Sequence, residues 1–215
     1  MNNNIIKIIE ILEQDYQDSR CMLIYSTPLE LLIAARLSAH CTDARVNIVT
    51  PVLFARYKNI DDFANSSQEE LEEYIKSCGL YKTKANNIIN MCKEIINNFD
   101  YKIPDNLEDL QKLSGIGRKT ANLFLAEIHN IPGIVVDTHF ARVTKRLGFH
   151  DSKNPVVIEN IMKKIVPEEK SIQFGHCIIS HGRKVCKARK PECSTCNLSK
   201  FCRYFIENQK CENKR

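Results

Sequence analysis

A lysine in the middle of the chain stands where its amine could act as a nucleophile. Lys119 follows two glycines, Gly115 and Gly117, and lies at the predicted start of a helix. An amine attacks carbon only when neutral, and an ordinary lysine has a pKa of about 10.4. The positive end of a helix dipole and a partly dry pocket would both lower the pKa of Lys119. A phosphate contact or a solvated surface charge is the alternative interpretation of this lysine.

The two glycines themselves predict a tight turn between two helices. Glycine permits positive φ and lets the backbone approach a ligand closely. The helix that follows begins with unpaired N–H groups, which form a natural seat for a phosphate. Taken alone, however, the motif favours an ordinary helix–helix turn.

Asp137 is the second candidate for chemistry. It follows the apolar run Ile134 to Val136 and precedes a helix whose buried side includes Phe140 and Val143. Aspartate is a favoured N-cap, and this role alone would explain the residue. Its carboxylate could also offset positive charge that develops on a substrate and assist proton transfer. Both roles are compatible, because one oxygen can cap while the other faces a site.

Four of the ten cysteines are clustered near the C-terminal end with the spacing C-x6-C-x2-C-x5-C: Cys186, Cys193, Cys196 and Cys202. Four thiolates can hold zinc or an iron–sulfur cluster. Structural zinc sites usually show two close cysteine pairs, whereas this loop has one, so the spacing favours a cluster only modestly. Lys187, Arg189 and Lys190 lie between the first two thiols and form either a solvated face or a phosphate-binding surface.

The composition and the apolar periodicity indicate an all-α protein. The 215 residues are 43% apolar and 27% charged, and their net charge of +5 is compatible with an anionic partner. The chain shows neither a secretory signal nor an apolar run long enough for a membrane, so we expect a cytoplasmic protein in which clustered cysteines bind metal. The run Ile134 to Val136 is too short to build a sheet. Helix N-caps are predicted at Thr27, Ser67, Thr83, Asn106 and Asn154.

Read together, these motifs resemble a known family. L-x-G-x-G-R-K-T-A followed by V-D-T-H-x-x-R-V is similar to the helix-hairpin-helix DNA glycosylases, and most closely to the endonuclease III family. Leu37-Ser38-Ala39, Gly79-Leu80-Tyr81 and the cysteine loop extend the resemblance over nearly the whole chain. It implies two helical lobes with DNA bound in a cleft between them. Residues 21–131 would form a six-helix lobe with the hairpin, and residues 1–20 plus 132–215 would form the second lobe, with a 4Fe–4S loop at 186–202.

The resemblance also implies a function: a bifunctional DNA glycosylase and AP lyase of base excision repair. Lys119 would form a Schiff base with the sugar, Asp137 would be catalytic, and the four clustered cysteines would hold one 4Fe–4S cluster. The substrates would be oxidised pyrimidines and abasic sites in double-stranded DNA, with cleavage 3′ to the abasic site by β-elimination. We expect a monomer that is associated with the nucleoid and not with membranes.

The resemblance also implies that several further residues contact DNA. Gly115, Gly117 and the three cations of the cysteine loop would bind phosphates. Leu80 matches the family's apolar wedge, and His40 stands where a glutamine usually fills the gap left by the flipped base; a buried loop leucine and a surface histidine are the alternatives. Ser114 replaces the usual proline of the hairpin, and His139 is given no catalytic role.

Three other functions remain open from the sequence. A helix-hairpin-helix glycosylase for alkylated or mismatched bases would share the scaffold. A non-catalytic DNA-binding iron–sulfur protein would use the hairpin and the cluster without chemistry, although binding alone does not need both Lys119 and Asp137. A zinc-finger-like regulator would hold zinc and be colourless.

Overall fold

The computed structural model describes residues 4–212, and these residues contain α-helices and short 3-10 turns but no β-strand. The all-α prediction is therefore confirmed. The chain divides into two compact units: Cys21–Ile131 forms one, and the residues up to Arg20 join those from Pro132 onward to form the other. None of the described helices is long and apolar enough to cross a membrane.

The unit Cys21–Ile131 contains seven α-helices: α2 Pro28–Leu37, α3 Asp43–Arg56, α4 Ile60–Ala64, α5 Gln68–Ile75, α6 Tyr81–Phe99, α7 Leu107–Leu110 and α8 Arg118–His129. A lobe of six helices was expected over these residues. One of the seven helices observed, α4, has only five residues and begins at a capping box between Asn59 and Asp62. One core of aliphatic and aromatic side chains joins these helices.

The other unit contains α1 Ile5–Asp15, α9 Thr138–Leu147, α10 Pro155–Ile165, α11 Ser171–Lys184 and α12 Arg203–Glu212. Its core is built around Ile8, Phe140 and Phe174. Helices α9 and α11 pack closely because Gly182 has no side chain: a Cβ there would lie 3.0 Å from the Cβ of His139. This close approach places the end of α11, where the cysteine loop begins, directly on α9.

Most of the predicted N-caps are present. Thr27, Ser67, Asn106 and Asn154 each accept a hydrogen bond from a backbone N–H in the first turn of their helix. The predicted cap at Thr83 is wrong, because α6 begins two residues earlier, at Tyr81. Its N-cap is Leu80, whose left-handed backbone turns the chain into the helix without a side-chain cap.

Candidate functional site

The hairpin of the unit Cys21–Ile131 has the predicted positive φ at Gly115 but not at Gly117, whose φ is −90°. Gly115 has φ of 78°, and a Cβ at this position would lie 2.5 Å from the side-chain amide of Asn87 and would also clash with the Arg36 guanidinium. Gly117 is the N-cap of α8 and has no side chain to cover the first N–H groups of that helix. Ile116 points inward between the two glycines and is buried, which anchors the turn to the core. The N-terminus of α8 is thus left open to an anion.

Ser114, where the family usually has proline, is held by Glu94 of α6. The backbone N–H of Ser114 donates to Glu94 Oε2 at 2.6 Å, and its hydroxyl donates to Glu94 Oε1 at 2.6 Å. Proline could make neither bond, because it has no N–H and no hydroxyl. A carboxylate clamp from α6 therefore fixes the turn at the position where the family usually has proline.

Lys119 is the second residue of α8, and its side chain is exposed. Lys119 therefore lies in the first turn of α8, where a helix dipole is felt most strongly. Its exposure differs from the partly dry pocket that the sequence suggested for this amine.

Asp137 is the N-cap of α9 in the other unit. Its Oδ1 accepts a hydrogen bond of 2.7 Å from the backbone N–H of Phe140. The side chain is only half-buried, so the carboxylate is also accessible to solvent. The capping role is confirmed, and it orients the side chain without consuming both of its oxygens.

The four clustered cysteines line one cavity, together with apolar side chains that include Val143, Leu147 and Leu198. Burial raises the pKa of the Cys193 and Cys202 thiols and raises that of Cys196 to about 11. Four thiolates around one cavity would repel one another, so this donor set needs a bound cation to become ionised. Cavity and donors therefore suit a metal centre held by thiolates.

Four cysteine thiols around one cavity are a donor set that can hold zinc or an iron–sulfur cluster. Among the residues that the structure describes, no group of three or more histidine, cysteine or acidic side chains is arranged around a single metal ion.

Two arginines of α9 hold the cysteine loop in place; one of them, Arg142, is part of the V-D-T-H-x-x-R-V motif, but the sequence suggested this role for neither. Arg142 donates to the carbonyls of Gly182 and Cys186 at 2.9 and 3.2 Å. Arg146 donates to Cys186 Sγ at 3.3 Å and to the carbonyls of Lys187 and Ala188 at 2.7 and 3.1 Å. Their spacing of four residues on a helix was the available signal, because such residues share one face.

A buried histidine, also missed by the sequence analysis, lies beside the same cavity. His181 hydrogen-bonds Tyr16 through Nδ1 at 3.0 Å, and its Nε2 lies 3.7 Å from Cys196 Sγ. Burial lowers the pKa of His181 to about 4, so the imidazole is neutral.

The loop cations Lys187, Arg189 and Lys190 are exposed, and the ammonium of Lys187 forms an ion pair with Glu192 at 2.6 Å. Arg142 and Arg146 thus fix the backbone that presents these three side chains.

The remaining predicted contact residues lie in two turns of the unit Cys21–Ile131. Residues 37–40 form the turn after α2 that ends at His40, and we name it the filler turn. Residues 78–80 form the turn before α6 that ends at Leu80, and we name it the wedge turn. Both residues have left-handed backbones, with φ of 55° and 49°. The Leu80 side chain is 59% exposed, so the alternative of a buried loop leucine is wrong.

Comparison with known proteins accounts for these features together. Residues 33–168 match the model of the HhH-GPD superfamily base excision DNA repair protein. The chain is 44% identical to endonuclease III of Synechocystis sp. over 197 residues, 91% of this chain and 90% of the relative. It is 42% identical to endonuclease III of Bacillus subtilis over 200 residues, 93% of this chain and 90% of the relative.

A solved structure of similar sequence gives the same result. The structure of a non-covalent endonuclease III–DNA complex superposes with a TM-score of 0.93 at 39% identity, and covers 98% of this chain and 99% of its own. The family model spans more than half of the chain, and the relatives span almost all of it. The chain therefore belongs to the endonuclease III family of helix-hairpin-helix base excision DNA repair enzymes.

Proposed function

We propose that Lys119 and Asp137 carry out the DNA glycosylase and AP lyase reactions of this family, on oxidised pyrimidines and abasic sites in double-stranded DNA. The observation that supports this most is the hairpin. It places Lys119 in the first turn of α8, next to an open helix N-terminus that can bind a phosphate. A lysine beside a bound phosphodiester is within reach of the neighbouring sugar. A similar solved structure, of 39% identity, is a trapped covalent endonuclease III–DNA intermediate.

In the first step, the damaged base leaves the stack and Lys119 Nζ attacks C1′ of its sugar. The C–N bond to the base breaks, and the base departs with the electron pair and takes up a proton. Opening of the sugar ring then gives an imine between C1′ and Nζ. Asp137 stabilises the positive charge that develops on the sugar and assists the proton transfers.

In the second step, the imine acts as an electron sink. A proton is removed from C2′, its electrons form a double bond to C3′, and the C3′–O bond to the phosphate breaks. This β-elimination cuts the strand on the 3′ side. Water then hydrolyses the imine and regenerates the Lys119 amine.

We also propose that the cavity of Cys186, Cys193, Cys196 and Cys202 holds one 4Fe–4S cluster whose role is structural. When bound, the cluster neutralises the buried thiolates and fixes the loop. Lys187, Arg189 and Lys190 would then contact phosphates from a rigid backbone. Gly115 and Gly117 would bind a phosphate at the hairpin, and the chain would act as a monomer in the cytoplasm, on the nucleoid.

Borohydride trapping on a duplex with one abasic site tests the lyase proposal. Wild type should become covalently attached to DNA, Lys119→Gln should not, and Lys112→Gln should trap like wild type. Lys112 is the matched control because it lies in the same hairpin and its 59%-exposed side chain pairs with Asp109. Failure of a folded, DNA-binding wild type to trap would refute the Schiff-base mechanism.

A substitution at Asp137 separates its two roles. Asparagine is as good an N-cap as aspartate, so Asp137→Asn should keep the melting temperature while single-turnover base excision falls by about 100-fold or more. Unchanged excision would leave Asp137 as a cap alone.

For the cofactor, elemental analysis should find four irons per chain, and the protein solution should absorb visible light. Stoichiometric zinc in a colourless protein would overturn the cluster proposal.

A further inference from the structure

Lys84 of α6 is a fully buried lysine that the proposed reaction does not use. Its relative exposure is 0%, and it ranks among the largest completely buried side chains of the described residues. Lysine is almost never fully buried unless its ammonium is paired, because the charge loses its hydration. Burial accordingly lowers the pKa of Lys84. An ammonium that loses its hydration in this way calls for a structural or functional reason.

The partners of the Lys84 ammonium are two backbone carbonyls. Nζ donates to the carbonyl of Leu37 at 2.7 Å and to that of Cys78 at 2.9 Å. The Leu37 carbonyl belongs to the last turn of α2, where helix carbonyls lack intrahelical partners. The Cys78 carbonyl ends the 3-10 turn Lys76–Cys78, which leads into α6. The backbone N–H of Lys84 also donates to the carbonyl of Leu80 at 3.0 Å, which secures the same turn a second time.

These two carbonyls begin the filler turn and the wedge turn. Leu37 is three residues before His40, and Cys78 is two residues before Leu80. A left-handed backbone is unfavourable for any ordinary residue that carries a Cβ. Such strain persists only where the surroundings determine the conformation, and it is concentrated at functional sites. One ammonium thus joins the two strained turns that carry exposed side chains.

We propose that Lys84 is a positioning residue that sets the filler turn and the wedge turn at a fixed distance from each other. His40 and Leu80 then enter the duplex as one preformed unit when the base is displaced. This inference rests on the proposed function, because it takes the tips of both turns to be inserted into DNA. Lys84 itself touches neither DNA nor the reacting sugar.

The central variant is Lys84→Met, which keeps the unbranched apolar stem and removes the ammonium. Its matched control is Lys82→Met, an exposed lysine on the same helix. Each protein is assayed for single-turnover cleavage of an abasic site in a duplex and in a single-stranded oligonucleotide. Insertion of His40 and Leu80 is needed only in the duplex, so the ratio of the duplex rate to the single-strand rate reports on positioning. A general loss of folded enzyme lowers both rates and leaves this ratio unchanged.

Lys84→Met should lower the duplex rate about 10- to 100-fold, since small misplacements of positioning groups have effects of this size. The single-strand rate should stay within about twofold of wild type, and Lys82→Met should change neither rate. In a His40→Ala, Leu80→Ala background, Lys84→Met should have little further effect on the ratio, because residues that act as one unit are not additive. An equal loss on both substrates, or no loss on either, overturns the proposal.

A second variant covers the case in which Lys84→Met does not fold. Lys84→Arg keeps the charge, but its larger planar head should push the two carbonyls apart and lower the duplex rate selectively, unlike Lys82→Arg. An unchanged ratio in a folded Lys84→Arg protein would overturn the proposal. If wild type does not trap with borohydride, the proposed function fails; if it traps while the Lys84 variants keep the wild-type ratio, only this inference fails.

Discussion

The clamp between Glu94 and Ser114 predicts a measurable energetic coupling. Glu94→Ala removes the acceptor of two hydrogen bonds of 2.6 Å each and leaves the N–H and hydroxyl of Ser114 to water. Hydrogen bonds to charged groups contribute about 1.5–3 kcal/mol each when well buried. Both residues are half-buried, so water replaces part of each bond, and we expect a loss of about 2 kcal/mol in the free energy of unfolding. For a chain of this size the melting temperature should fall by about 4–8 °C.

A double-mutant cycle isolates this interaction. Ser114→Pro restores the residue typical of the family and removes both donors, so Glu94→Ala in that background should cost less than about 0.5 kcal/mol. The assay is thermal unfolding followed by far-UV circular dichroism, with Glu73→Ala as the control because the Glu73 side chain is 73% exposed. If Glu94→Ala destabilises both backgrounds equally, Glu94 acts through another contact and the clamp does not replace the proline.

Other substitutions test the loop cations, the arginine braces and a buried histidine. Arg189→Ala should reduce the slope of log DNA affinity against log salt by about one, while Lys7→Ala on α1 leaves it unchanged; an unaltered slope would place Arg189 outside the interface. Arg146→Met removes donors to Cys186 Sγ and to two loop carbonyls. When both variants are treated with a chelator, Arg146→Met should therefore lose its visible absorbance faster than Lys145→Met, and equal rates would contradict the bracing role. Burial lowers the pKa of His150 from 6.5, so the unfolded chain binds this proton more readily, and the free energy of unfolding should fall as pH is lowered through 6.5. This fall should be shallower in His150→Gln but not in His40→Gln. If the plots of unfolding free energy against pH are parallel for wild type and His150→Gln, His150 is not the cause.

Local sequence signals predicted the helices well because caps are short-range interactions. Thr27 caps α2 through the N–H of Glu30, three residues away, and Asp137 caps α9 through the N–H of Phe140. Thr83 failed as a cap because the start of α6 is set by the left-handed backbone of Leu80, which no side-chain pattern announces. Val157 belongs to the apolar pattern of α10 but is 43% exposed, since periodicity identifies an apolar stripe without showing how much of it is covered.

Sequence motifs identified candidate site residues where those residues are close in sequence and not where they are distant. The hairpin glycines, Lys119 and the cysteine loop stand in continuous motifs that can be read directly. Lys84 looks like an ordinary helix-surface lysine, because one of its two carbonyl partners is 47 residues away. Glu94 is likewise 20 residues from Ser114. Side chains that position a site from a neighbouring element carry no local signal.

The two departures from the family pattern are each accommodated by the local backbone. His40 occupies a left-handed conformation, in which histidine is several-fold enriched over most residues, so replacing the usual glutamine does not add strain to the filler turn. An imidazole can also stack or exchange hydrogen bonds with a base. Ser114 recovers through Glu94 the rigidity that proline would have given the hairpin. Since the backbone at His40 is one that histidine readily adopts and the turn at Ser114 is held by Glu94, any difference in base preference should arise from the His40 side chain and not from a displaced turn.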